Sequence, residues 1–230
     1  MKRGVGALHQ TPGFTIFHQP VVALPAALGL AGFAGSTWIT SSSIANWWGT
    51  PESPTLFFPF VGIFGGLAQL IAGLYGFKAR DPLVTVIHTM WGSFRAAGAL
   101  QPHSAHTRFP ELASWFVILC VFTWSCALAA TARDIVLRAC LFSLAIGSTI
   151  ACCLFAYNGG TGPAPGDGLE GGVAKGTKAA SYFWVLSTLL AWWRVTVYLV
   201  EEAYGPTHDA YGYGKRAPLL IPGLGEPDVK

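Results

Sequence analysis

A few polar side chains stand inside long apolar stretches of this chain. They are the residues best placed to do chemistry. Arg95, Arg194, His88, Gln69 and the hydroxyls of Ser36, Thr37 and Ser93 interrupt runs of Leu, Ile, Val, Phe, Ala and Gly. An ionisable residue at such depth is a functional candidate by default. Arg95 lies about five residues from one end of its run, or about 8 Å at 1.5 Å per residue. Arg194 lies about six residues from the end of its own. Both are placed to snorkel to an interface. The sharper reading puts Arg95 on an internal lumen, where it concentrates anions at the outer vestibule. His88, one turn before Trp91, could carry a proton; the competing reading is a neutral, hydrogen-bonded packing residue. Gln69 either ties helices together or faces a lumen. The three hydroxyls could replace part of an anion's water shell, or bond the carbonyls of their own helices.

Other chemistries find little support. Cys120, Cys126, Cys140, Cys152 and Cys153 all fall in apolar stretches without metal-ligand spacing, so they read as small buried hydrophobes. His103 and His106 share a loop with no third ligand nearby, so no metal site is expected. No paired carboxylates, His-rich iron motif or Ser/His/Asp order marks an enzyme. Haem would need histidines on facing helices, and His88 has no evident partner. The expectation is therefore no cofactor and no catalytic residue. A net charge of +3 without a basic run excludes a nucleic-acid surface.

The elements that must hold these residues are membrane helices. Of 230 residues, 52% are hydrophobic and 11% charged, against about 25% charged in a soluble domain. At about 20 residues per span, six spans fit: about 21–40, 55–77, 83–100, 112–132, 139–157 and 179–200. Between the first two lies a loop with Gly49, Pro51 and Pro54 as breakers, and 158–178 is a Gly-rich loop. Residues 1–19 and 203–230 read as tails around a transmembrane domain at 20–202, and no signal peptide is evident. Six spans put both tails on one side. That side holds nine Lys/Arg (Lys2, Arg3, Lys78, Arg80, Arg133, Arg138, Lys215, Arg216, Lys230), against Arg108, Lys175 and Lys178 on the other. The positive-inside rule then places both termini in the cytoplasm. Trp47, Trp48 and Tyr204 sit where aromatic belts form, whereas Trp192 and Trp193 lie deeper and should pack.

Small residues recur in the spans at Gly29, Gly32, Gly35, Gly62, Gly66, Ala68 and Ala72, a spacing that allows close helix packing. Alternate spans also look alike. Phe33-Ala34-Gly35-Ser36, Trp91-Gly92-Ser93 and Leu144 with Gly147-Ser148 each put a bulky residue before a small polar pair, 58 and 53 residues apart. The repeat suggests three hairpins around a common axis, as in many transport proteins.

Several motifs in order resemble the acetate uptake transporter family, which includes the succinate–acetate permease and fungal relatives. The family signature Asn-Pro-Ala-Pro-Leu-Gly-Leu stands here as Leu24-Pro25-Ala26-Ala27-Leu28-Gly29-Leu30. Gly65-Gly66-Leu67-Ala68-Gln69-Leu70-Ile71-Ala72-Gly73, Trp91-Gly92-Ser93-Phe94, Phe142-Ser143-Leu144 and Leu219-Leu220-Ile221-Pro222-Gly223 follow. The resemblance implies six helices around a pore in each protomer, a hexamer, and a hydrophobic constriction from helices one, three and five. Its positions here are Phe33, Trp91 and Leu144. Leu24, Pro25 and Ala26 would stand at the pore mouth. The implied function is passage of acetate and similar monocarboxylates, with succinate an open question, across the plasma membrane. Leu24 replaces the signature Asn, Ala27 its second Pro, and Trp91 the usual Tyr. These departures keep a non-transporting membrane sensor or scaffold open as the alternative.

Overall fold

Proline and aspartate set the starts of three helices in this chain. Pro25 opens the first, where its missing N–H costs nothing. Asp81 Oδ1 accepts the Val84 N–H at 3.0 Å ahead of Pro82, and Asp134 Oδ1 accepts the Leu137 N–H at 2.7 Å. Both aspartates are N-caps, satisfying donors that a helix start leaves open. The computed structural model describes residues 24–49, 53–99, 111–158 and 170–204.

Six helical rods result: α1 (Pro25–Ile44), α2 (Ser53–Lys78), α3 (Pro82–Ala99), α4 (Glu111–Ala130), α5 (Ile135–Asn158) and α6 (Glu170–Tyr204). Each of the six stretches expected to span a membrane is helical. Four of them are long and apolar enough to cross a membrane by length and composition: α2, α4, α5 and α6. The serines, threonines and glycines of α1, and His88 and Arg95 of α3, make those two less apolar. α6 also begins well inside the Gly-rich segment expected to be a loop. Residues 170–178 extend the helix, and Gly176 leaves room for Leu154 of α5.

Each rod packs on its chain neighbours, and α6 returns to α1, so the six close into a ring. α1 also touches α3 across the interior. Close approach depends on two glycines in particular. A Cβ on Gly66 of α2 would stand 2.8 Å from the Ala96 backbone nitrogen of α3. One on Gly29 of α1 would stand 2.5 Å from the His88 ring. Backbone cannot yield as a side-chain tip can, so Gly66→Ala is expected to destabilise the bundle by about 1–3 kcal/mol. A lowered midpoint of thermal unfolding in detergent would register it; an unchanged midpoint would mean that the crossing adjusts freely.

The middle of α2, Val61–Ala68, is π-helical. This wider turn directs the Phe64 carbonyl at Gly32, where a Cβ would come within 2.5 Å. π-turns of this kind are common at functional sites. The spacing of small residues in the sequence did not reveal it, because the same residues fit an ordinary helix.

Candidate functional site

One turn of helix is 3.6 residues, so Phe33, Trp91 and Leu144 can meet only if α1, α3 and α5 turn matching faces to one axis. They do. The three are 3%, 4% and 1% exposed, belong to one apolar cluster, and line one cavity. Ala26, Leu30, Ile87, Leu137 and Leu141 form its apolar wall, and Gln69, His88, Cys140, Arg133 and Tyr198 supply polar atoms. Most of these residues lie in the first halves of α1, α3 and α5. The cavity therefore sits on the side where those helices begin.

The Trp91 indole N–H donates to Thr123 Oγ1 on α4 at 3.0 Å. This bond anchors the bulkiest of the three side chains and satisfies its buried donor. Nothing in the sequence pairs these residues, which are 32 positions apart. Beyond Trp91, Phe94 meets Phe116 edge-on at 5.4 Å between centroids, and Phe116 stacks on Phe155 at 5.0 Å and on Trp184 at 6.2 Å. This aromatic layer was not anticipated either.

Arg95 sits one turn past Trp91 and does not snorkel. It is 7% exposed, and its Cζ lies 5.2 Å from the Phe33 ring and 5.6 Å from the Trp91 ring, within cation–π range. Its guanidinium donates to Gln69 Oε1 at 2.8 Å and to Thr37 Oγ1. Gln69 Nε2 and His88 Nδ1 are 3.2 Å apart. A chain of four side chains thus links α1, α2 and α3 beside Phe33 and Trp91. Gln69 both ties helices together and lines the cavity. Arg95 is not among the residues lining that cavity; it lies behind the rings.

Of the expected lining residues, Ala26 and Gln69 line the cavity, whereas Leu24, Pro25, Ser36, Thr37, Ser93 and Arg95 do not. Ser93 is exposed on the outside of α3. It follows Trp91 by two residues, about 200° around the helix, so both cannot face the axis. Leu24 precedes the first turn of α1, is 52% exposed and does not touch the cavity, whereas Pro25 and Ala26 are buried and Ala26 lines it. Ser36 is buried, but its hydroxyl donates to the Gly32 carbonyl at 2.6 Å, the local bond that competes with any ligand. Trp192 and Trp193, expected to pack, are 39% and 42% exposed; Trp192 leans on Trp38 with ring centroids 5.1 Å apart. Arg194 does not snorkel either. It is buried against Asp134 at 3.3 Å and over the Tyr198 ring at 4.2 Å. His103, His106, the tails and the side chain of Tyr204 lie outside the described residues.

At the cavity mouth, Arg133 grips Asp81 with two bonds of 2.6 and 2.7 Å, joining the α2–α3 turn to the α4–α5 turn. Burial pushes the Asp81 carboxyl up. The Arg133 bonds, the Val84 N–H and the guanidinium charge outweigh this and hold it below its ordinary value of 3.8. A depressed folded-state pKa stabilises fully above the unfolded value and is lost as pH falls through the lowered one. The stability gap between the native protein and Asp81→Asn is therefore expected to be constant from pH 8 to 5. It should close below about pH 3.8, as thermal unfolding would report. A gap that stays open at pH 2 would contradict the pairing.

Among the described residues, no group of three His, Cys, Asp or Glu stands close enough to hold a metal ion. The five cysteines are all unpaired in disulfide terms; Cys152 is half-buried and Cys153 exposed, so burial holds only for the other three. No family model and no curated protein matches the sequence. A solved structure does match: "Structure of the bacterial acetate channel SatP", at a TM-score of 0.61 and 21% identity, covering 80% of this chain and 96% of that one. The chain therefore has the fold of the bacterial acetate channel SatP.

Proposed function

We propose that this protein passes acetate and similar small monocarboxylates across a membrane, as a channel or transporter, through a constriction built from Phe33, Trp91 and Leu144. One observation carries the reading: three bulky residues from three alternate helices meet on one cavity, inside a ring of helices that shares the fold of an acetate channel. The chemistry of the cavity suits such a substrate. Leu30, Ile87 and Leu141 offer an apolar wall to a methyl group, and Gln69, His88 and Arg133 offer polar atoms to a carboxylate. A hydrophobic constriction can gate by losing its water, and weak binding on either side lets the ion leave. His88, which lines the cavity, is the candidate proton carrier. A hexamer in the plasma membrane, with both termini cytoplasmic, belongs to the same reading, and the nine-to-three Lys/Arg count supports the orientation.

Uptake of labelled acetate into proteoliposomes tests it. Saturable uptake above protein-free vesicles, competed by propionate and tested in parallel with succinate, is expected. Uptake no faster than in empty vesicles would favour a non-transporting sensor or scaffold, the reading that Leu24 at the signature Asn position keeps in view.

A further inference from the structure

The ring of helices is built as two halves. In one, Arg95 of α3 bonds Thr37 of α1 and Gln69 of α2. In the other, the Trp124 indole of α4 donates to Thr149 of α5 at 3.1 Å, and the Ser187 hydroxyl of α6 donates to the Cys140 carbonyl of α5 at 2.8 Å. Asp134 and Arg194 pair within that second half. The cavity lies between the two. Phe33, Gln69 and Trp91 face it from α1, α2 and α3, and Leu144 and Tyr198 from α5 and α6.

The halves meet along two seams of different kinds. α1 packs densely on α6, with Trp38 against Trp192 at 5.1 Å and Trp47 against Tyr182 at 6.1 Å between ring centroids. Among the described residues, α3 and α4 pack most sparsely of the neighbours in the ring. Two polar links cross that second seam. One is the Trp91–Thr123 bond, near the middle of α3. The other is the Asp81–Arg133 pair at the seam's end, and Arg133 also lines the cavity. The side chains of Arg133 and Asp81 are 39% and 24% exposed, against 4% and 3% for Arg194 and Asp134. An ion pair that water reaches is weak and breaks readily, whereas a buried pair is costly to separate.

We propose that the Asp81–Arg133 pair is a latch on the cavity: when it breaks, the α1–α3 and α4–α6 halves part along the α3–α4 seam, and the cavity opens at the end where α3 and α5 begin. The densely packed α1–α6 seam is the hinge. Asp81 Oδ1 also accepts the Val84 N–H, so opening leaves the start of α3 capped. The inference deepens the proposed function and rests on it only for what enters there.

Cys140 reports the opening. It lines the cavity and is 1% exposed, so a reagent must enter the cavity to reach it. Cys153 is exposed, and Cys120 is buried against Thr149 of α5 within one half, so these two serve as controls. The purified full chain in lipid nanodiscs would be treated with N-ethylmaleimide, a neutral reagent, and each cysteine followed by peptide mass spectrometry. Asp81→Asn and Arg133→Gln should each speed Cys140 modification about fivefold, the reach of a water-exposed ion pair. Cys120 and Cys153 should keep their native rates. Arg133→Lys, which keeps the charge without the fork, should fall between. Salt at about 1 M, which screens charges beyond about 3 Å, should speed Cys140 modification in the native protein but not in Asp81→Asn. Native rates at Cys140 in both variants would overturn the latch. Acceleration of Cys120 alongside Cys140 would also overturn it, since that marks a loosened bundle. If one variant does not fold, the other decides. The labelling does not require transport. Latch-controlled labelling without acetate uptake would sink the proposed function and leave the latch standing; uptake with labelling indifferent to both variants would do the reverse.

Discussion

Replacing Trp91 with alanine is expected to admit longer carboxylates and to weaken the bundle in one step. Trp91 is 4% exposed, holds Thr123 through its indole N–H, and meets Phe94 edge-on at 5.8 Å. Removing so large a buried side chain costs about 3–5 kcal/mol, the lost burial and the cavity left behind together. The same cavity would widen the proposed constriction between α1, α3 and α5. The ratio of butyrate to acetate uptake is expected to rise about tenfold, equivalent to about 1.4 kcal/mol in the relative barrier. Trp91→Phe separates the two effects. It keeps most of the bulk but leaves the Thr123 hydroxyl without its donor, a loss of about 1 kcal/mol, and selectivity should hardly move. An unchanged uptake ratio in a folded Trp91→Ala protein would remove Trp91 from the path.

The second large effect concerns Arg194. Its side chain and that of Asp134 are 4% and 3% exposed, and they pair at 3.3 Å between α6 and the start of α5. Arg194→Met would leave the Asp134 carboxylate buried without its partner. Removing one member of such a pair costs about 3–5 kcal/mol, whereas replacing both members can be nearly neutral. The double variant Arg194→Met, Asp134→Ser is therefore expected to recover most of the loss. Serine keeps a cap for the Leu137 N–H, which Asp134 now supplies. Unfolding midpoints of the single and double variants would check this. A single variant as stable as the native protein would show that the charge reaches water by another route.

Both expectations rest on contacts between distant parts of the chain, and such contacts divide what could be read early from what could not. The six helical rods were legible because apolar runs and breakers such as Gly49, Pro51 and Pro54 are local signals. Their ends were less so. Residues 170–178 are helical despite three glycines, because packing on α5 and continuation of a long helix override local propensity. Ser93 looked equivalent to Ser36 by position in the repeat, yet it faces outward. The repeat preserves spacing along the chain, whereas facing depends on angle, and two residues turn a helix by about 200°.

Arg95 and Arg194 show the same limit with charges. Each sits near a span end, so snorkelling was the ordinary expectation. The folded chain buries both, because Thr37 and Gln69 in one case and Asp134 in the other lie on neighbouring helices at the right height. Spacing along one helix carries no information about the height of a partner on another.

The sequence by itself determined the class of protein, the number of helical rods, and the three bulky residues that recur in alternate helices. Those properties follow from hydropathy and periodicity, which act over a few turns. Tertiary structure alone decided that the rods close into a ring, that Phe33, Trp91 and Leu144 share one cavity, and that a chain of hydrogen bonds runs from Thr37 through Arg95 and Gln69 to His88. The reason is physical. A side chain's partners depend on the rotation and height of its helix against its neighbours, and close packing at glycines such as Gly29 and Gly66 sets both.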